Sequence, residues 1–491
     1  MIFMIQSILA GLYLISLIFV LIYCTSQFYL MIRYLFKAEK PTPILKHNDP
    51  DLPFVTIQLP VYNEKYVTGR LIDCIMSVDY PKEKFEVHIL DDSTDETLQI
   101  SKSKASHYSR LGYNIECITR SDRSGFKAGA LRDAMAFAKG NLIAIFDADF
   151  LPDHDFLLKT VGQFKNPEVG VVQTRWSHLN ENDSLLTLMQ AFQLNVHFTI
   201  EQGARYKSGY FLQFNGTGGI WRKECISSAG GWEADTLTED LDLSYRAQLK
   251  GWKIDFMEQV ATPAELPAEI SALKSQQHRW MKGGAETARK LLPTLWKSDI
   301  GLEKKIQGSI HLLASTVYVS VFMLGVLSVP LAWMQNIDLL HAEWLSIFYL
   351  PLFMIIFVYF VANAIRCRNK NSFIIQIFRF ILIFPVFLAF SMGMAFHNAL
   401  AVIQGWMKIR SAFIRTPKIG TIHSKNILYN NSYLKKSYDA TFDGELILCL
   451  YFLVAVLFGI LSMNNHFLLF HITLFAGYGG LVFYSVQRVF K

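Results

Sequence analysis

The 491 residues contain six cysteines, Cys24, Cys74, Cys117, Cys225, Cys367 and Cys449, and no two of them form a CxxC pair or a zinc-ligand spacing. That excludes a zinc finger and a disulfide-stapled secreted scaffold, and it reads as reduced thiols used for packing. Charge is scarce too, at 18% of residues against 52% hydrophobic, too little for a simple soluble enzyme. No alternation of basic and aromatic residues marks a nucleic-acid groove, so no nucleic-acid partner is expected. The basic residues instead gather beside apolar runs: Arg33, Lys37 and Lys40; Arg366, Arg368 and Lys370; Lys408, Arg410, Arg415 and Lys418. This is the placement of membrane-flanking charge. Internal repeats and low-complexity tracts are absent. A secretory leader is not expected, because the first apolar run is long, starts without basic residues and is followed by positive charge.

What is present divides the chain in three: an N-terminal membrane helix (1–36), a polar domain (37–305) and a C-terminal membrane region (306–491). Apolar runs long enough to cross a bilayer occupy about 8–32, 310–334, 345–365, 381–403, 446–463 and 467–486. The positive charge after the first run places the polar domain in the cytoplasm. The expected setting is a multi-pass protein of the plasma (inner) membrane in contact with lipids.

Within the polar domain, buried-strand patterns at Phe54–Leu59, Phe85–Leu90, Ile115–Ile118 and Leu142–Phe146 alternate with helical ones at Val67–Ser77, Thr94–Ser109 and Gly129–Lys139. That alternation predicts an α/β domain with a parallel sheet. Acidic residues follow the strand ends, where such sheets bind ligands.

Four signals carry chemistry. Pro60-Val-Tyr-Asn-Glu64 is followed by Asp91-Asp92-Ser93, then Asp147-Ala148-Asp149, then Thr238-Glu239-Asp240, then Gln276-Gln-His-Arg-Trp280. A DxD pair can aim two carboxylates at one hard cation, Mg2+ or Mn2+, that neutralises a diphosphate leaving group; alone, it also reads as a solvated loop or helix cap. Asp240 is a candidate general base for an acceptor hydroxyl, or simply the start of a helix. Arg279 can grip phosphate bidentately and Trp280 offers a flat face to a sugar, although both types also anchor interfacial helices.

Taken in order within one α/β domain flanked by membrane spans, these signals resemble family 2 glycosyltransferases. The resemblance is to the processive, cellulose synthase-like branch with the hyaluronan and glucomannan (mannan) synthases, and it covers about 55–290. It implies a GT-A (Rossmann-like) catalytic domain and inverting, metal-dependent transfer of glucose or mannose. The donor would be UDP-glucose or GDP-mannose, and the acceptor a growing β-linked polysaccharide moved across the membrane. It implies that Tyr62 stacks on the base, Glu64 orients the nucleotide, Asp91 or Asp92 binds base or ribose, and Lys127 contacts the donor. Asp147 and Asp149 would meet phosphates and metal. Thr238, Glu239, Gln276, Arg279 and Trp280 would hold the diphosphate and the acceptor, and Asp240 would be the base. The Phe214-Asn-Gly-Thr-Gly-Gly219 loop corresponds to one beside the acceptor sugar. Phe413-Ile-Arg-Thr-Pro-Lys418 resembles a gating pattern FxVTxK, with Arg415 in place of Val, and gives Thr416 and Lys418 to a gating segment at 408–420.

That segment must share a membrane face with the catalytic domain, yet three apolar runs separate the two. Either one run is a re-entrant or interfacial element, for which the run after Asn371, with Arg379 and Pro385, is the first candidate, or one run crosses twice. The alternative activity is a single hexose transfer to a lipid acceptor. A transporter or receptor with a soluble insert is disfavoured, because Arg379, Glu445 and His397 trace no charge pathway. No PilZ-like regulatory domain is expected after Val486.

Overall fold

The computed structural model describes residues 2–37, 44–47, 49–334, 349–367, 372–411, 416, 418, 420, 441–462 and 467–490. Lys40, Arg368, Lys370, Phe413 and Arg415 lie outside this set. A long helix, α1 (Ile2–Phe36), precedes the domain. There β1 (Val55–Val61), α2 (Thr68–Met76), β2 (Phe85–Asp91), α3 (Thr97–Arg110), β3 (Ile115–Ile118), α4 (Phe126–Ala134), β4 (Leu142–Ile145) and α5 (Phe156–Thr160) alternate as the periodicity predicts. β5 (Val169–His178), α6 (Leu185–Val196), α7 (Gly203–Ser208), β6 (Gly219–Arg222), α8 (Lys223–Ser228), α9 (Glu239–Leu249) and β7 (Lys253–Ala264) complete it.

The seven strands form one sheet in the order β3-β2-β1-β4-β6-β5-β7. All are parallel except β6, which runs against both β4 and β5. The strands are apolar almost throughout because helices cover both faces. Val55, Ile57 and Leu59 of β1 and Leu142 and Ala144 of β4 pack with Leu71, Ile75 and Phe156 on one face. Ile143 and Ile145 point the other way, among Leu131, Ala134, Leu243 and Ala247. From β1 the chain winds to β2 and β3, then returns to β4 on the other side of β1. The crevice at that reversal, beyond the strands' carboxyl ends, is where open α/β sheets take ligands.

The helix after β3 starts and ends earlier than the periodicity predicts, at Phe126 and Ala134. Gly125, at φ 71°, turns the chain into it. Gly129 lies one turn inside, where a Cβ would come 2.1 Å from the Ser124 carbonyl oxygen. The glycine marks a tight first turn rather than the helix start.

Past the sheet run α10 (Ile270–Lys297), α11 (Leu302–Leu312), α12 (Val317–Trp333), α13 (Tyr349–Cys367), α14 (Phe373–Gly393), α15 (Ala395–Trp406), α16 (Phe442–Leu461) and α17 (Leu468–Phe490). Among the described residues six helices are long and apolar enough to cross a membrane: 4–36, 314–333, 349–366, 373–393, 442–461 and 468–487. Two expected runs change shape. The run expected from 310 breaks at Leu313, leaving α11 as a separate helix. The run expected over 381–403 is two helices, α14 and α15, divided at Met394.

α14 packs chiefly along α17 and sets its aromatic side chains on α13 and α6. Phe360 of α13 holds Phe373 and Phe380, with ring centres 6.0 and 5.3 Å away. Phe384 and Phe387 pack on Met189 and Phe192 of α6, and Met394 packs on Leu186, Ile270 and Leu273. The outer face of α14 exposes Phe373, Ile374, Phe378 and Leu382, apolar side chains that suit contact with lipid. α12 leaves the sheet side, and α13 returns to it through Arg366, whose Nη2 donates to Glu258 Oε1 at 2.7 Å. Where α14 crosses α17 the backbones touch: a Cβ on Gly477 would lie 2.1 Å from the Ala389 oxygen.

Candidate active site

The carboxyl ends of β1 and β4 open into a cleft of about 220 Å³. Tyr62, Glu64, Asp92, Lys127, Asp147, Asp149, Thr238, Glu239, Asp240, Gln276, Arg279, Trp280, Thr416 and Lys418 all line it. Of the residues expected at the site, Asp91 alone does not. It is 2% exposed, and its Oδ1 accepts the Ser93 N–H at 2.8 Å, which shapes the turn that carries Asp92.

Three local arrangements bring the motifs together. After β1, Asn63 takes φ 52°, its Oδ1 accepts the Thr94 N–H at 2.8 Å, and the Ser93 hydroxyl accepts its own N–H. This pins the Tyr62 loop to the Asp92 loop. The second arrangement is Gly283 of α10, where a Cβ would fall 2.6 Å from Thr238 Cγ2 and 2.8 Å from Thr238 N. Only glycine lets the helix of Gln276, Arg279 and Trp280 lie this close to the Thr238-Glu239-Asp240 turn. Glu286 Oε2 accepts the Leu237 N–H at 2.9 Å beside it. Third, Gly216, at φ 78°, leaves room for Asp240: a Cβ there would be 3.1 Å from Asp240 Oδ2.

Each aspartate of the DxD pair faces a lysine. Lys127 Nζ donates to Asp147 Oδ1 at 2.6 Å and to the Gly216 carbonyl at 2.9 Å. Lys418 Nζ donates to Asp149 Oδ2 at 2.7 Å, and the Glu265 N–H reaches the same oxygen at 3.2 Å. Burial works against both ammonium charges, but facing carboxylates outweigh it and hold both lysines above their usual range. Arg279 Nη2 donates to Thr416 Oγ1 at 2.8 Å. The stretch carrying Thr416 and Lys418 thus closes one wall of the cleft.

Asp240 sits in the first turn of α9. Burial and the neighbouring Glu239 charge raise its pKa to about 7, against the pull of the Leu241 N–H and Lys127. Burial likewise raises Glu239, opposed first by Lys127. A carboxylate held near neutrality is suited to accept a proton at physiological pH.

The donor set of Asp147 and Asp149 is all oxygen, with cationic charge already drawn to both carboxylates, and it fits a hard divalent ion. Among the described residues, Glu233, Asp235 and Asp242 also have metal-holding spacing. Lys290 fills that cluster, with contacts of 2.5, 2.9 and 3.0 Å, and the cluster is not part of the cleft lining.

Sequence reasoning missed several lining residues. Arg123 stacks its guanidinium 3.3 Å from the centre of the Tyr62 ring. Arg120, behind the lining, sets its Nη2 2.5 Å from Asp92 Oδ2. His178, whose pKa burial and Arg175 push down to about 3, and Trp176 come from the end of β5. The two arginines belong to the charged stretch before Gly125, a visible signal; Trp176 and His178 belong to no motif. Glu265 ties the gating stretch to the DxD pair, accepting from Arg70 Nη2 and from the Gly420 N–H.

A second cavity, about 790 Å³, adjoins the cleft and reaches between α1, α12, α13 and α14. Trp176, Leu194, Asn215, Thr238, Asp240 and Trp280 line both.

The profile described as "Glycosyltransferase like family 2" matches residues 51–283. Probable glucomannan 4-beta-mannosyltransferase 2 of Oryza sativa subsp. japonica is 31% identical over 437 residues, 86% of this chain and 72% of that protein. Glucomannan 4-beta-mannosyltransferase 7 of Arabidopsis thaliana is 40% identical over 259 residues, 52% of this chain and 47% of the relative, so the match spans about half the length of that protein. Among solved structures, the mannosyltransferase PcManGT of Pyrobaculum calidifontis, in complex with GDP-Man and Mn2+, superposes with a TM-score of 0.55 at 18% identity, over 81% of this chain and 100% of that one. That likeness is one of fold, GT-A. The chain belongs to family 2 of the glycosyltransferases, and its relatives are the cellulose synthase-like glucomannan mannosyltransferases.

Proposed function

We propose that this family 2 glycosyltransferase moves a hexose, mannose before glucose, from a nucleotide sugar to the growing end of a β-linked glycan, inverting the anomeric carbon. The observation that carries this is the convergence of Asp147, Asp149, Asp240 and Arg279 on one cleft that adjoins a cavity among membrane helices. The names of the relatives support mannose, as does the GDP-Man in PcManGT; UDP-glucose is the competing donor.

Tyr62, backed by Arg123, stacks on the base, and Glu64 and Asp92 orient the nucleotide. Lys127, Gln276, Arg279, Thr416 and Lys418 hold the diphosphate, with charge-assisted hydrogen bonds from the cationic members. When bound, Mg2+ or Mn2+ held by Asp147 and Asp149 neutralises charge on the leaving diphosphate. Trp280, with Thr238 and Glu239 beside it, presents the acceptor hydroxyl to the anomeric carbon. Asp240 takes the hydroxyl proton as the new C–O bond forms and the bond to the diphosphate breaks.

We assign 1–36 and 306–491 to the membrane and 37–305 to catalysis, on the cytoplasmic side of the plasma (inner) membrane. Product leaves through the larger cavity. That cavity's largely apolar wall, with Leu17, Ile355, Phe384 and Phe387, also favours a second reading, in which the acceptor is a lipid. The test is donor turnover by purified protein with GDP-mannose and UDP-glucose, with and without Mn2+, followed by product sizing. A ladder of polymer supports the first reading and one glycolipid the second. No turnover of either donor refutes both.

A further inference from the structure

The helix formed by α6 and α7 is interrupted by a π-helical segment, His197–Gln202. Such insertions concentrate at functional sites. His197 and Glu201, one turn apart on this segment, stand at the wall of the larger cavity, near the end that it shares with the catalytic cleft. His197 Nδ1 lies 2.7 Å from Glu201 Oε2, and its Nε2 lies 2.9 Å from Asn215 Oδ1. Gln27 Nε2 of α1 donates to Glu201 Oε1 at 2.8 Å.

A carboxylate at a membrane interface is costly without a task. Burial would raise the Glu201 pKa, but the His197 hydrogen bond and charge, with Arg205 and His311, hold it near about 2. Asn215, only 8% exposed, lines both cavities, and its Nδ2 has no hydrogen-bond partner among the described residues. Gln27, 2% exposed, leaves its Oε1 in the same condition. An ionised carboxylate and two amides with unspent capacity, the carboxylate and Asn215 both held by His197, next to Trp176 and Trp280, match a pyranose ring: hydroxyls at its edge and an apolar face.

We propose that His197, Glu201 and Asn215 form an acceptor subsite that binds the hydroxyls of a sugar unit already transferred, one step beyond the unit at Trp280, and so select a glycan over a lipid acceptor. This rests on the transferase reading above and deepens it. The test is steady-state kinetics of full-length protein in detergent, with GDP-mannose as donor and β-mannooligosaccharides of increasing length as acceptors. Glu201→Gln and His197→Ala are expected to raise the acceptor KM about tenfold or more, the value of a charge-assisted hydrogen bond, with the donor KM within about twofold. The gain in affinity from lengthening the acceptor by one unit should also disappear in both variants. An unchanged acceptor KM in both overturns the subsite alone. So does an equal loss of donor and acceptor affinity, which would mark a structural role. Wild-type protein that turns over no donor overturns the transferase reading, and the subsite with it.

Discussion

Removing the amide-adjacent charge of Glu239 should move the pH dependence of transfer, and the direction follows from the site. Asp240 must be ionised to accept the acceptor proton, and burial together with Glu239 holds its pKa at about 7. Between about pH 7 and pH 6 the ionised fraction falls from about one half to about one tenth, so the rate should fall about fivefold. Glu239→Gln takes away a like charge, so Asp240 ionises more readily and the acidic limb moves to lower pH. Asp240→Asn leaves the shape of the cleft but no base, and should cost about 10²- to 10⁴-fold in rate. The stability trend runs the other way. The folded state keeps the Asp240 proton at pH values where the unfolded chain has lost it, so stability falls as pH rises from the ordinary carboxylate range to about 7. The assay is nucleotide release under saturating acceptor across pH 5.5–8.5, for wild type and both variants. A flat wild-type profile, or an Asp240→Asn enzyme with more than a tenth of the activity, refutes the assignment of the base.

Three further outcomes are expected. Gly283→Ala places a methyl group 2.8 Å from backbone nitrogen of Thr238; it should lower transfer at least about tenfold, with an overpacking cost of about 1–3 kcal/mol read as a lower melting temperature. Chelation should abolish transfer and Mn2+ or Mg2+ restore it, whereas Asp149→Asn should stay inactive at any metal concentration in the same assay. Gly477→Ala meets the Ala389 oxygen and should loosen the α14–α17 crossing, seen as a drop in melting temperature in detergent with the catalytic residues untouched.

The sheet was legible because its first four strands are short apolar runs, three of them ended by proline or acidic residues, and each falls within about two residues of its expected place. The motif residues were legible as a set because the reversal between β1 and β4 collects loops from distant parts of the chain. The division of α14 from α15 was not. Hydropathy reads Ile381–Ile403 as one run, whereas its break depends on Met394 finding Leu186, Ile270 and Leu273, a contact no local window contains. Trp176 and His178 escaped for the same reason: they reach the cleft only because β5 returns beside β6. Gly283 and Gly216 could be read as permissive, but only the neighbours of their missing side chains show what they permit.

The pairing of each DxD aspartate with a lysine has a consequence for the order of loading. A cation arriving alone must unseat an ammonium that stays tethered nearby and competes for its return. A cation arriving on a sugar diphosphate brings the replacement partner for that lysine with it. The protein should therefore bind free manganese or magnesium weakly and take up metal and donor as one package, each strengthening the hold on the other.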